Sequence, residues 1–147
     1  MRRLTTIRTL LVLVVLPGAL VVGTALPALA QAPTGTLRIG AEATLVARGA
    51  AVRVPIRYRC SPDTVVADLV VEVRQRVGGN RLAVGGGFPS STLNCDGQLH
   101  TVVVTVTAQG ENAFRRGPAL VQAFLQLCND FECITLTASR EVSVVGR

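Results

Sequence analysis

Tryptophan and lysine are both missing from this chain, and histidine, tyrosine and methionine each occur once. Without tryptophan, the cysteine–tryptophan–cysteine core that marks antibody domains cannot form. With His100 as the sole histidine, a nucleophile–base pair or a histidine-supported zinc site has little to draw on. His100 falls on a valine face or just after a turn, where a structural role is expected, and no orienting carboxylate is readable beside it. Aromatic residues make up only 3% of the sequence, so the stacking platforms of nucleic-acid binders are lacking and no nucleic-acid partner is expected. The nine acidic residues are scattered over turns and polar faces, not paired across a cleft as glycoside cleavage requires. No heptad or long amphipathic helical pattern is present after residue 30. Together these absences argue against catalysis and against any metal or cofactor.

What is present begins with a leader. Arg2, Arg3 and Arg8 precede an unbroken apolar run at 10–16, and Pro17-Gly18 interrupts it before a second run. Ala28-Leu29-Ala30 then has the small-x-small pattern of a cleavage site ahead of Gln31. Residues 1–30 therefore read as a secretory signal peptide, and residues 31–147 as one exported domain that is secreted and free of the membrane. Removing the leader lowers the net charge from +6 to +3, twelve arginines less nine acids. All fifteen basic residues are arginine; with the Ala, Val and Gly bias, this resembles the codon usage of a high-GC genome.

The four cysteines, Cys60, Cys95, Cys128 and Cys133, all follow the leader. An even count in an exported chain implies two disulfides, for which three pairings are open. Cys128-Asn-Asp-Phe-Glu-Cys133 joins two strand-like runs and can close locally across a hairpin, which leaves Cys60 to Cys95. Zinc would want paired short spacings or more histidine.

The strongest strand signal is Ala-Val-Arg-Val-Pro-Ile-Arg-Tyr-Arg-Cys at 51–60. Val52, Val54, Ile56, Tyr58 and Cys60 alternate with Arg53, Pro55, Arg57 and Arg59, the period of a strand with one buried face. Pro55 cannot donate to a ladder, which predicts an edge or bulged position. Residues 36–39 and 43–47 read as one broken first strand. At 68–77 the inward set is Leu69, Val71, Val73 and Val77; Gln75 breaks the dry face and Val70 the wet one. Gly78-Gly79-Asn80 is a hairpin turn. The run 81–84 is a short strand with Leu82 and Val84 inward. Gly85-Gly86-Gly87 lacks the lysine and helix of a phosphate loop and reads as a flexible loop or bulge. Residues 99–108, 119–128 and 133–145 supply three more strands. Short strands at spacings near ten residues, divided by turn signals, predict an all-β, immunoglobulin-like antiparallel β-sandwich of about seven strands.

Two resemblances follow from particular residues. Tyr58-Arg59-Cys60, Cys95-Asp96-Gly97 with His100, and Cys128 resemble small exported actinobacterial proteins of unknown function, which assigns a fold but no activity. Ala32-Pro33-Thr34 and the Cys128–Cys133 loop are similar to the enediyne-binding apoproteins of the neocarzinostatin type. That second resemblance implies a seven-stranded sandwich and a chromophore carrier. The long Cys60 to Cys95 spacing and the basic charge depart from it.

In function, the sequence reads as a secreted, non-enzymatic binding or structural module. The alternatives are a small-molecule carrier and a small secreted hydrolase. Sandwich loops commonly carry recognition, and here 88–91, 110–116 and 129–132 each hold an aromatic among polar residues. Phe88, Phe114, Arg115, Arg116 and Phe131 are the candidate loop contacts, although loop aromatics also fold back to plug the core. Partners of matching chemistry are an anionic cell-wall polymer, another surface protein or an apolar small molecule. The arginines at 53, 57 and 59 suit the polymer, and a solvated face accounts for them equally.

Overall fold

β-Branched residues at alternate positions favour extended chain and place every second side chain on one face. A computed structural model describes residues 31–146, and extended chain dominates it. The strands are β1 (Gly35–Ile39), β2 (Glu42–Val46), β3 (Ala51–Cys60), β4 (Val65–Arg76), β5 (Leu82–Gly87), β6 (His100–Gln109), β7 (Gly117–Cys128) and β8 (Cys133–Gly146). The secretory leader expected at 1–30 lies outside the described residues. Among the described residues no helix is long and apolar enough to cross a membrane.

The protein is all-β with both expected disulfides, Cys60–Cys95 and Cys128–Cys133. The closure differs from an open sandwich. β1 and β2, the halves of the broken first strand, both pair with β3, and β2 also pairs in parallel with β8. The ladder then runs β8–β7–β4–β5–β6 and returns to β3. The sheet therefore closes as a seven-stranded barrel. Two strands close it: β5 bonds to both β4 and β6, and β2 to both β3 and β8. Closure gives each of the seven ring strands a partner on both sides, which limits the free edges through which β-proteins aggregate; β1 lies outside the ring and pairs with β3 alone. Where β1 diverges from β8, Arg140 Nη1 reaches across and donates to the Ile39 carbonyl at 3.0 Å.

Pro55 shows why β3 is an interior strand after all. It lies where the first strand breaks, between the Ile39–Ile56 and Thr44–Arg53 pairs. Its carbonyl accepts from Gly40 N–H at 2.8 Å, so its missing donor faces that break and costs no ladder bond. Gly40 is required there, because a Cβ would lie 2.5 Å from the Pro55 ring.

The core is aliphatic. Val52, Val54, Ile56, Leu69, Val71, Val73, Val104, Val106, Val121, Ala123, Leu125 and Leu127 are all fully buried. The predicted inward sets hold in β3 and in β4, with Val77 buried just beyond its end; β6, β7 and β8 alternate in the same way, although in β8 only Val142 and Val144 are fully buried. β5 does not follow its prediction. Leu82 is exposed and Val84 half-buried on the outside, while Ala83, Gly85 and Gly87 face in. The glycines are strand, not loop, because β5 crosses β6 too closely for side chains. A Cβ on Gly85 would sit 2.3 Å from the Thr107 carbonyl oxygen, and one on Gly87 at 2.3 Å from that of Thr105.

Candidate functional site

Three surface regions carry the chemistry of this barrel. The first is the outer wall of β4, β5 and β7. Because Gly85 and Gly87 turn inward, Gly86 faces out, and nothing but the Gln109 amide comes near the place its Cβ would occupy. The result is a groove of about 510 Å³ lined by Val70, Glu72, Leu82, Val84, Gly86 and Phe88 among others. Phe88 stands at its end with 63% of its surface exposed. Val70, the residue that broke the polar face in the sequence, is opposite Phe124, and Arg74 is opposite Leu120. This wall sets the apolar side chains of Val70, Leu82, Val84, Leu120 and Phe124 beside the Glu72–Arg74 ion pair, where a fully solvated strand face would be polar throughout.

The candidate loop aromatics divide. Phe131 is 77% exposed at the tip of the β7–β8 hairpin, whose turn is set by Asn129 Oδ1 accepting from the N–H groups of Phe131 and Glu132 at 2.9 Å each. Phe114 is different: it is only 1% exposed and plugs the core beneath Gly49 and Gly85. As a contact residue it is ruled out by that burial. Arg115 and Arg116 next to it are exposed. Gln75, whose polar side chain interrupts the dry face of β4, explains how this loop is held. Its amide nitrogen donates to the Arg115 carbonyl and its oxygen accepts from Arg115 N–H, both at 2.8 Å. A buried amide satisfied in this way fixes one loop conformation.

The second region is a polar corner at the Cys60–Cys95 disulfide. His100 lies at the start of β6 opposite Tyr58, and the two rings stack with centroids 5.5 Å apart. His100 Nε2 donates to Asp96 Oδ1 at 2.7 Å, and Gln98 N–H donates to the same oxygen at 2.8 Å. These bonds, the imidazole first, hold the Asp96 carboxyl below its ordinary value. Tyr58 Oη accepts from Asn94 N–H at 3.2 Å. The orienting carboxylate that was not readable beside His100 is therefore present, four residues upstream across the tight Gly97 turn. It occupies Nε2 and stands on the surface. Among the described residues no hydroxyl or thiol is hydrogen-bonded to the imidazole, and all four cysteines are in disulfides. The pair can orient and exchange a proton, but a nucleophile is not assembled with it. Nor do three metal-ligating side chains converge among the described residues.

The third region is the outer face of β1, β3 and β6. Register places Arg38 directly opposite Arg57, with Thr101 on the far side of Arg57. Arg59 lies opposite Thr36, and Arg53 lies between Thr44 and Thr105. All four arginines are exposed. Among the described residues the ion pairs are Arg74–Glu72 and His100–Asp96, neither of which involves this face. No protein-family model matches the chain, and no curated protein is significantly similar to it in sequence.

Proposed function

We propose that this chain is an exported, non-enzymatic module of immunoglobulin-like connectivity that works by docking its outer surface against a partner. One observation carries the reading: the exposed side chains of Leu82 and Phe88 border an open outer groove at Gly86. A carrier of the neocarzinostatin type would need a deep cleft for its cargo. The connectivity supports the immunoglobulin-like part. A split first strand with its second half parallel to the last strand, together with the β3–β6 and β4–β7 pairs, is the pairing expected of that connectivity. The two disulfides indicate an oxidising compartment and support export.

The test begins with mass. The secreted protein starts at Gln31 and weighs four hydrogens less than its reduced form. Labelled protein then binds saturably to the surface fraction of the producing culture, and Phe88→Ala weakens that binding at least fivefold without lowering the unfolding midpoint. A chromophore that co-purifies with the protein would favour the carrier. Any hydrolytic activity abolished by His100→Ala in a folded protein would overturn the reading.

A further inference from the structure

We propose that the outer face of β1 and β3 binds a linear polyanion of the phosphodiester-linked polyol class. The proposal rests on the module reading above and names a partner for a second surface. The sequence alone points to a weak stripe, since Arg74 and Arg76 belong to the wall of β4, β5 and β7. The register supplies what the sequence does not show. Arg38 comes from a different strand to stand directly across from Arg57.

Like charges directly opposite one another on a sheet destabilise the pair. Here two guanidinium groups face each other with a third, Arg59, two residues along the same strand, and no carboxylate of the described residues neutralises them. The nearest acids are at the margins. Glu42 lines a groove with Arg53 at one end, and Asp96 is engaged by His100 at the other. An arginine group held unpaired on a rigid wall is preorganised for an external anion, because its planar fork meets a phosphate with two parallel hydrogen bonds. Arg57 and Arg59 are alternate residues of one strand, so their charges recur about every 7 Å. Arg53 lies on the same line about 13 Å beyond Arg57, with Pro55 at the position between, and Thr101 and Thr105 on β6 place hydroxyl donors beside it. The pattern suits an extended chain of phosphodiesters with short spacers.

The face also says what the polymer lacks. No aromatic side chain lies among Arg38, Arg53, Arg57 and Arg59 in the register, so bases would find nothing to stack on. The exposed apolar groups on this side, Leu99 and Val103, flank Thr101 singly and form no insertion wedge.

The experiment measures binding of a poly(glycerol phosphate) chain to the purified protein over a range of salt. Binding is expected at low salt and weakens as salt rises. The double variant Arg57→Gln/Arg59→Gln loses at least tenfold in affinity, and its log–log salt slope falls by about 1.4, roughly 0.7 for each phosphate that is no longer neutralised. Arg74→Gln/Arg76→Gln removes the same charge from the wall of β4, β5 and β7 and changes affinity less than twofold. Removing like-charge repulsion leaves the unfolding midpoint of the first variant unchanged or higher. Should that variant fail to fold, the single change Arg38→Gln is expected to weaken binding at least threefold and to lower the slope by about 0.7. Equal losses in both double variants would overturn the proposal, as would absence of binding at low salt. Tighter binding to oligodeoxythymidylate or to phosphatidylglycerol vesicles would also overturn it. Failure here with Phe88-dependent docking intact leaves the module reading standing, so the two fail separately.

Discussion

β3 and β5 flank β6 on its two sides and bury their inner faces equally well by opposite means. β3 fills its side of the core with Val52, Val54, Ile56, Tyr58 and Cys60. β5 offers Ala83, Gly85 and Gly87, and the neighbouring backbone of β6 occupies the space that side chains would take. The first strand is stabilised by bulk and the second by close approach. A substitution should therefore have opposite consequences in the two: removing atoms damages β3, and adding them damages β5.

The comparison can be broken at four points. The largest effect is expected at the end of β3, where Cys60 is tied to Cys95 across a separation of 35 residues. Replacing both cysteines with alanine should cost about 4 kcal/mol by loop-closure entropy, seen as a lower urea midpoint. Within β3, Ile56→Ala empties a fully buried site and should cost about 3 kcal/mol in the same measurement. In β5, Gly85→Ala adds one methyl against a carbonyl and should cost about 2 kcal/mol. Its neighbour Gly86→Ala, facing the open groove, should change stability by less than about 0.5 kcal/mol. If Gly85→Ala proves as mild as Gly86→Ala, close approach is not what keeps β5 small.

The smallest effect belongs to the polar corner beyond β3. The Asp96 carboxyl is held below the ordinary carboxylate value, so its bonds to His100 and Gln98 favour the folded state when it is charged. That contribution is present above the ordinary carboxylate range and is lost as pH falls through the folded-state value. The unfolding midpoints of the wild type and Asp96→Asn should therefore differ near neutrality and converge in acid. A constant gap across the titration would show that Asp96 acts by geometry rather than by charge.

The same contrast explains what could be read from the residues alone. β3, β4, β6 and β7 announce themselves because their buried faces are made of valine, leucine and isoleucine, which hydropathy registers. β5 is invisible to that method: glycine carries no side chain, so Leu82 and Val84 look like the inner face when they are the outer one. Closure was not legible either. Pro55 signals an edge by its missing donor, and only the break between β1 and β2 lets an interior strand hold it. Both disulfides followed from hairpin logic and elimination. Asp96 beside His100 had a signal, an acid four residues upstream across a glycine turn, but it depends on that turn folding back. Arg38 had none, since its meeting with Arg57 is a matter of register. The exposure of Phe88 and Phe131, against the burial of Phe114, depends on how three chemically similar loops lie over the core.

The parallel bond between β2 and β8 joins the beginning of the described chain to its end. A ring fastened by its first and last staves cannot be completed until the final stave arrives. During synthesis the earlier strands can associate, but the barrel stays open until residues 143–146 emerge. The fold therefore carries its own timing: pairing of the most distant segments comes last.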